Sequence, residues 1–184
     1  MFDADYTLGT HRWHVVRLSS GSKTEVVVLS QQFFAVTTHW VGRTVLCSGD
    51  ECVLCDLLPS RGLFYLAVFC AGQTRLLELG AQSASHLEQH CKLLHGGLRA
   101  GLVLELSRRG AKQPVHSEVV RFQAGAESVP LLLLATRVMA LYKFPPPNSE
   151  EALVEYEVRV RRCCNVRNVR LAKEFEQRHE KPRV

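Results

Sequence analysis

Apolar and polar residues alternate or cluster along residues 12–122 in patterns that predict mostly strands. β-Branched and aromatic residues dominate 12–18 and 24–36, two predicted strands joined by a turn at 19–22. The segment 63–70 is apolar at nearly every position, which predicts a strand buried on both faces. Further strands are predicted at 75–79, 102–107 and 115–122.

Helical spacing of apolar residues predicts two helices. Leu87, Cys91, Leu94 and Leu98 recur at three- and four-residue intervals, and Ser83 or Ser85 is positioned to cap this first helix. The second helix is predicted to begin at Pro130 and to end at Tyr142, before three consecutive prolines. Residues 153–161 fit both a strand and a helical stripe; the strict alternation favours a strand, followed by a basic helix over 166–178.

The order of these elements predicts a mainly β fold that contains helices. Three principal strands, a helix and two strands follow one another, with an insertion between the second and third strands. This is the order of the five-stranded OB-fold barrel, which binds oligonucleotides or oligosaccharides. We therefore predict an OB-fold-like domain over 1–128 with a zinc loop at 39–62, and a helical, basic C-terminal extension over 129–184.

A short stretch, residues 39–55, concentrates side chains that bind soft metal ions. One imidazole precedes three thiols, and the last two thiols form a Cys-x-x-Cys pair. This pattern is typical of structural zinc sites, in which four protein ligands fill a tetrahedral shell. The alternative is that the cysteines are small buried apolar residues. The predicted Zn²⁺ ligands are His39, Cys47, Cys52 and Cys55, with Cys70 as a substitute for His39.

Positive charge is concentrated at the C-terminal end of the chain. Residues 159–184 hold nine of the 23 basic and three of the 18 acidic residues, a net charge of +6, whereas the whole chain carries +5. A basic turn at 108–114 adds a second positive region. Both regions suit contact with a phosphate backbone, although a solvated, merely soluble segment has the same composition.

The zinc motif and the element order together resemble the zinc-containing OB-fold single-stranded-DNA-binding proteins of tailed phages. That resemblance implies that His39, Cys47, Cys52 and Cys55 bind zinc and that the chain binds single-stranded DNA. It also implies replication or repair proteins as further partners. The basic C-terminal segment departs from the acidic, partner-recruiting tail of that family, so we expect it to contact nucleic acid directly.

A sequence-tolerant single-strand binder needs aromatic faces for bases and cations for phosphates. Trp40, beside His39 and close to Arg43, is the preferred stacking residue. The full set of predicted contacts to single-stranded DNA or RNA is Trp40, Arg43, Arg61, Trp13, Arg12, Arg108, Arg109 and Lys112. The alternative function is a zinc-stabilised adaptor that binds protein and no nucleic acid.

Several other classes of protein are disfavoured by the sequence. It carries no nucleophile elbow, phosphate-binding loop or dinucleotide fingerprint, so we do not expect an enzyme. The longest apolar run is shorter than the roughly 20 residues that cross a bilayer, so no membrane association is expected. Seven cysteines behind an acidic N-terminus predict reduced thiols in a cytoplasm, that of the host cell if the protein is viral.

Overall fold

The structure is a computed structural model that describes residues 13–49, 52–145, 147–156 and 158. Strands follow the β-branched and apolar runs, and helices follow the 3.6-residue periodicity. The strands are β1 Val15–Val16, β2 Lys23–Val28, β3 Phe34–Trp40, β4 Thr44–Leu46, β5 Ser60–Cys70, β6 Gln73–Gly80, β7 Leu102–Ser107 and β8 His116–Phe122. The helices are α1 Leu54–Leu57, α2 Ala81–His95 and α3 Leu131–Leu141, and residues 150–156 are also helical.

All eight strands belong to one sheet that branches at β5. The main path runs β1-β6-β5-β2-β7-β8. One edge of β5 pairs with β6, while its other edge pairs with β3 near the N-terminal end and with β2 near the C-terminal end. β3 also pairs with β4, and β1 joins β6 in parallel. The branch lets the β3–β4 hairpin extend away from the path that continues through β2.

The expected mainly β fold with helices is confirmed, but the described strands do not close into the five-stranded barrel. The sheet has eight strands, and its path remains open between β1 and β8 in the part of the chain that the structure describes. β1 lies against β6, with Val15 opposite Leu76, and thereby occupies the β6 edge that is not paired with β5. The edge of a strand offers one row of backbone donors and acceptors, and β1 uses that row along this part of β6. No other strand can therefore pair there.

Two hydrophobic cores cover the two faces of the sheet. Leu66 and Val68 of β5 pack in one core with Leu87 of α2. Tyr65 of β5 packs in the other core with Leu134 of α3. Successive strand residues point to opposite faces, so β5 is buried on both sides, as its continuous apolar run predicts.

The two predicted helices are present, with a revised start for α2. Ser83 does not cap α2; its Oγ instead accepts a hydrogen bond from the backbone N–H of Val115 at 2.8 Å. The helix begins at Ala81 and ends at His95, and it is capped by Gly96, which has φ of 72°. α3 over Leu131–Leu141 confirms the helix predicted after Pro130.

The predicted strand at 153–161 is wrong where the structure describes it, because 150–156 are helical. Ser149 begins this helix: its Oγ accepts from the N–H of Ala152 at 3.2 Å, and its backbone oxygen accepts from Leu153 at 3.1 Å. Leu153 and Tyr156 then lie on one helical face and pack into the core beneath α3. Tertiary packing thus selects the helical reading of a pattern that also fits a strand.

The remaining C-terminal predictions concern residues that the structure does not describe. The basic helix over 166–178 and most of the positive segment 159–184 lie outside the described residues. The domain boundary at residue 128 stays a prediction.

Among the described residues, no helix combines the length and apolar character needed to cross a bilayer.

Candidate metal centre and adjoining groove

The β3–β4 hairpin places His39 inside the protein and Trp40 outside it. His39 lies opposite Val45 of β4 and Ser60 of β5, so both neighbouring strands hold its backbone. Its side chain is 1% exposed, whereas that of Trp40, the next residue, is 68% exposed. This contrast follows from strand geometry, since consecutive side chains point to opposite faces.

One hydrogen bond between strands and two local turns bring the cysteines to His39. The backbone N–H of Cys47 donates to Thr37 O at 2.8 Å, which holds the end of β4 against β3. The N–H of Cys52 then donates to Gly49 O at 3.0 Å, and Gly49 has φ of 86°, a left-handed conformation that glycine adopts without a Cβ clash. The N–H of Cys55 donates to Cys52 O at 3.0 Å, so the Cys-x-x-Cys pair forms one turn leading into α1.

The four predicted ligand residues form a single cluster. Their ligand atoms all lie within 4.8 Å of one another. Nε2 of His39 is 3.5 Å from Sγ of Cys52 and 3.4 Å from Sγ of Cys55, and Sγ of Cys47 is 3.5 Å from Sγ of Cys55. Tetrahedral zinc, with Zn–S of about 2.3 Å and Zn–N of about 2.0–2.1 Å, separates its ligand atoms by about 3.5–3.8 Å. The residues therefore fit a metal ion of this size.

The cysteines of the cluster are reduced, and one of them is acidic. Burial raises the pKa of Cys52, but backbone and side-chain hydrogen bonds with Ser48, a backbone bond with Leu54 and a bond with Cys47 outweigh it and lower that pKa to about 6. Cys52 is therefore a thiolate at neutral pH, the form that binds metal.

The imidazole of His39 has one nitrogen directed at the thiols and one without a partner. Nε2 contacts two sulfurs, while Nδ1 is buried and makes no hydrogen bond within the described chain. Nε2 is thus the atom available for coordination. Three thiols and one imidazole leave no open position on a four-coordinate ion, so such an ion stabilises structure and holds no substrate.

Cys70 is excluded as the fourth ligand by its position on β5. His39 pairs with Ser60 at one end of this 11-residue strand, and Cys70 is at the other end. At about 3.3 Å per residue, the two ends are about 33 Å apart. The Cys70 sulfur instead lies 4.0 Å from Thr24 Oγ1.

A groove of about 900 Å³ opens beside the metal cluster. Its walls come from the β3–β4 hairpin, the start of β5, the end of β6, the first turn of α2 and the β7–β8 loop at residues 108–115. His39 lines this groove and is also one of the four candidate metal ligands. The other side chains important here are Trp40, Arg61, Arg108, Lys112, Arg17 and Glu78.

Half of the predicted nucleic-acid contacts line this groove. The four are Trp40, Arg61, Arg108 and Lys112. Arg43 and Arg109 are exposed but do not line it. Trp13 packs beside the core under α3, with the Arg137 guanidinium 5.5 Å from its ring centre, so the structure does not bring it to the groove. Arg12 lies outside the described residues.

Arg108 is held within its own loop. Its Nη1 donates to Leu18 O at 2.9 Å, and its Nε donates to Gly110 O and Gln113 O at 3.2 Å. Its Nη2 donates to Ala111 O. Because four backbone oxygens accept from this guanidinium, Arg108 shapes the wall of the groove.

The groove also contains an ion pair that the sequence analysis did not include in the site. Arg17 contacts Glu78 through two hydrogen bonds of 2.8 Å. Glu78 interrupts the otherwise apolar run Leu76–Leu79, which was the available signal, since a lone charge in a buried strand requires a partner.

In comparisons with known proteins, no family model matches the sequence, and no curated protein or solved structure matches the chain.

Proposed function

We propose that this protein binds single-stranded DNA or RNA in the groove beside a structural zinc site. The observation that carries the proposal is the placement of the exposed Trp40 ring in one groove with Arg61 and Lys112. Neither cation forms a salt bridge with the described residues. An aromatic face next to such cations supplies the two contacts that an unpaired nucleotide offers, a base and a phosphate.

Zinc would act by fixing the wall that carries Trp40. The neighbouring residue His39 would bind the ion together with the three thiols, so the hairpin could not move independently of the cluster. A base stacked on a fixed indole incurs a smaller ordering cost than one stacked on a mobile ring. Stacking of this kind contributes on the order of 1–3 kcal/mol per base.

The arrangement of loops around the groove supports an OB-like binding mode. We propose a correspondence with the five strands of that fold. β2 and β3 together correspond to the first strand, and β5, β6, β7 and β8 correspond to the second to the fifth. α2 then lies between the third and fourth strands. Residues 41–59, which include β4 and α1, then lie between the first two strands, and residues 108–115 lie between the last two. OB-folds bind oligonucleotides with the loops at these two positions, and both contribute walls to the groove.

A titration of labelled single-stranded DNA and RNA against duplex, at several salt concentrations, tests this proposal. We expect tight binding to single strands with a steep loss of affinity as salt rises. Trp40→Ala should weaken binding by on the order of 1–3 kcal/mol. Trp13→Phe is the matched control, because Trp13 does not line the groove.

Two charge variants test the phosphate contacts. Arg61→Gln and Lys112→Gln should each reduce the slope of log affinity against log salt by about 0.7. Lys92→Gln is the control, since Lys92 is an exposed cation on α2 that does not line the groove. Equal affinity for duplex, or full affinity in Trp40→Ala, would contradict stacking in the groove.

A second candidate is a zinc-stabilised adaptor that binds protein. It is favoured by two apolar residues at α1: Val53, which caps the helix, and Leu57, one helical turn later, are 73% and 76% exposed. This candidate predicts no salt-dependent oligonucleotide binding and a protein complex that Leu57→Ser disrupts. Salt-dependent binding lost in Trp40→Ala and retained in Leu57→Ser would decide in favour of the groove.

A further inference from the structure

Arg17 and Glu78 form a two-pronged ion pair within the groove. Arg17 Nε donates to Glu78 Oε1 and Arg17 Nη2 donates to Glu78 Oε2, both at 2.8 Å. The Arg17 side chain is 65% exposed, and that of Glu78 is 12% exposed. The carboxylate is therefore the fixed, inner member of the pair, and the guanidinium is the member that faces the groove.

Tyr65 holds Glu78 on its buried side and is itself bonded to Tyr142. The Tyr65 hydroxyl, which belongs to a fully buried residue, donates to Glu78 Oε2 at 2.8 Å. Because its single proton is used there, Tyr65 accepts a hydrogen bond from the Tyr142 hydroxyl at 2.6 Å. Burial raises the pKa of Glu78, but the hydrogen bonds from Arg17 and Tyr65 outweigh it and keep that pKa below its usual range. Glu78 is thus ionised and anchored to both β5 and the end of α3.

The two hydrogen bonds leave part of the guanidinium free. A guanidinium has five N–H groups in a rigid plane. Nε and one N–H of Nη2 are used by Glu78, while Nη1 makes no hydrogen bond to any residue that the structure describes. The free N–H groups are held in a fixed direction, which is the geometry that lets arginine bind phosphate oxygens specifically.

We propose that Arg17 binds a phosphate of the nucleic-acid backbone and that Glu78 is the positioning residue that orients its guanidinium. This inference rests on the proposed single-strand binding. The proposal has an unusual consequence for charge. The carboxylate of Glu78 is negative, yet it increases the affinity of the groove for the negatively charged nucleic acid. A carboxylate without this role would repel the phosphates, and its removal would strengthen binding.

A double-mutant cycle for oligonucleotide affinity tests the sign of the Glu78 contribution. Arg17→Gln should weaken binding by about tenfold or more, the loss of a charged hydrogen bond, and should reduce the salt slope by about 0.7. Glu78→Gln should also weaken binding, although it removes a negative charge. In the Arg17→Gln background the same Glu78→Gln change should leave affinity unchanged or raise it.

Arg17→Lys provides a second test that leaves the buried residues intact. Lysine keeps the charge but has no planar fork, so affinity should fall while the salt slope stays close to that of the original protein. Urea unfolding of each variant identifies any loss of affinity caused by a loss of fold. If the pair were merely structural, Arg17→Gln would leave the salt slope unchanged, because no contact with a phosphate would be lost.

The outcomes separate this inference from the proposed function. If the original protein does not bind single strands, both are overturned. If it binds in a Trp40-dependent manner, but Glu78→Gln strengthens binding equally in both backgrounds, only the role of Arg17 and Glu78 is overturned. Original affinity in both Arg17→Gln and Arg17→Lys would also overturn that role alone.

Discussion

Loss of one metal ligand is expected to unfold β4 and α1 while leaving β3 and the rest of the sheet intact. Cys47→Ser is the perturbation of choice, because Cys47 is fully buried and a hydroxyl is a poor substitute for a thiolate ligand of zinc. The buried residues of both large cores lie outside 40–58, and of the described residues in this region only Leu46 packs against one of them. Only the region around the cluster, residues 40–58, should therefore lose its structure.

The size of the effect follows from how little else holds this region. Its own apolar cluster contains Cys47 and Cys52, with Leu54 and Cys55 packed against it. At about 0.8 kcal/mol per methylene-sized group, the two buried thiol side chains contribute roughly 3 kcal/mol. A structural zinc ion in small metal-dependent folds contributes about 10–16 kcal/mol at neutral pH. The contribution of the metal ion is several times larger than that of the thiol side chains, so loss of the ion should unfold this region.

Metal analysis and hydrogen exchange together measure this effect. The original protein should contain one zinc ion per chain, and Cys47→Ser should contain almost none. Amide exchange should accelerate strongly over 40–58 and remain slow in β7. Cys91→Ser is the matched control: Cys91 is equally buried, but it belongs to α2 and faces the core, where burial raises its pKa to about 11.

Three results would refute this reasoning. The first is a purified protein without bound metal whose 40–58 amides are nevertheless protected. The second is equal loss of zinc in Cys91→Ser, and the third is full zinc content in Cys47→Ser.

Two further predictions concern stability. Because the pKa of Glu78 is lowered from 4.5 in the folded protein, its contribution is present at neutral pH and is lost as pH falls below about 4.5 through the folded-state pKa. The difference in unfolding free energy between the original protein and Glu78→Gln, about 1.5–3 kcal/mol at pH 7, should shrink at pH 3 in urea titrations; an equal difference at both pH values would contradict this. Gly101→Ala should destabilise by more than about 1 kcal/mol, since Gly101 has φ of 93° and a Cβ there would clash with the backbone oxygen of Gln123. In Gly110→Ala the new Cβ makes an ordinary 3.7 Å contact, so thermal unfolding should separate this control from Gly101→Ala.

The sequence determined the features that depend on neighbouring residues. The Cys-x-x-Cys pair lies within one turn, so its two thiols could be recognised as metal ligands from the sequence before any fold was known. The continuous apolar run of β5 predicted burial on both faces because its pattern leaves no polar face. Pro130 and the later prolines bounded α3 because proline restricts the backbone wherever it occurs.

Tertiary structure decided the features that depend on competition between distant partners. β1 could be placed on the edge of β6 only by long-range pairing, and that pairing leaves the sheet open. The helix at 150–156 was selected because Leu153 and Tyr156 find the core beneath α3. Arg17 and Glu78, which are 61 positions apart in sequence, meet in one groove only because the fold brings them together. Patterns specify what each segment can form, but the burial and pairing available in the fold determine which form is stable.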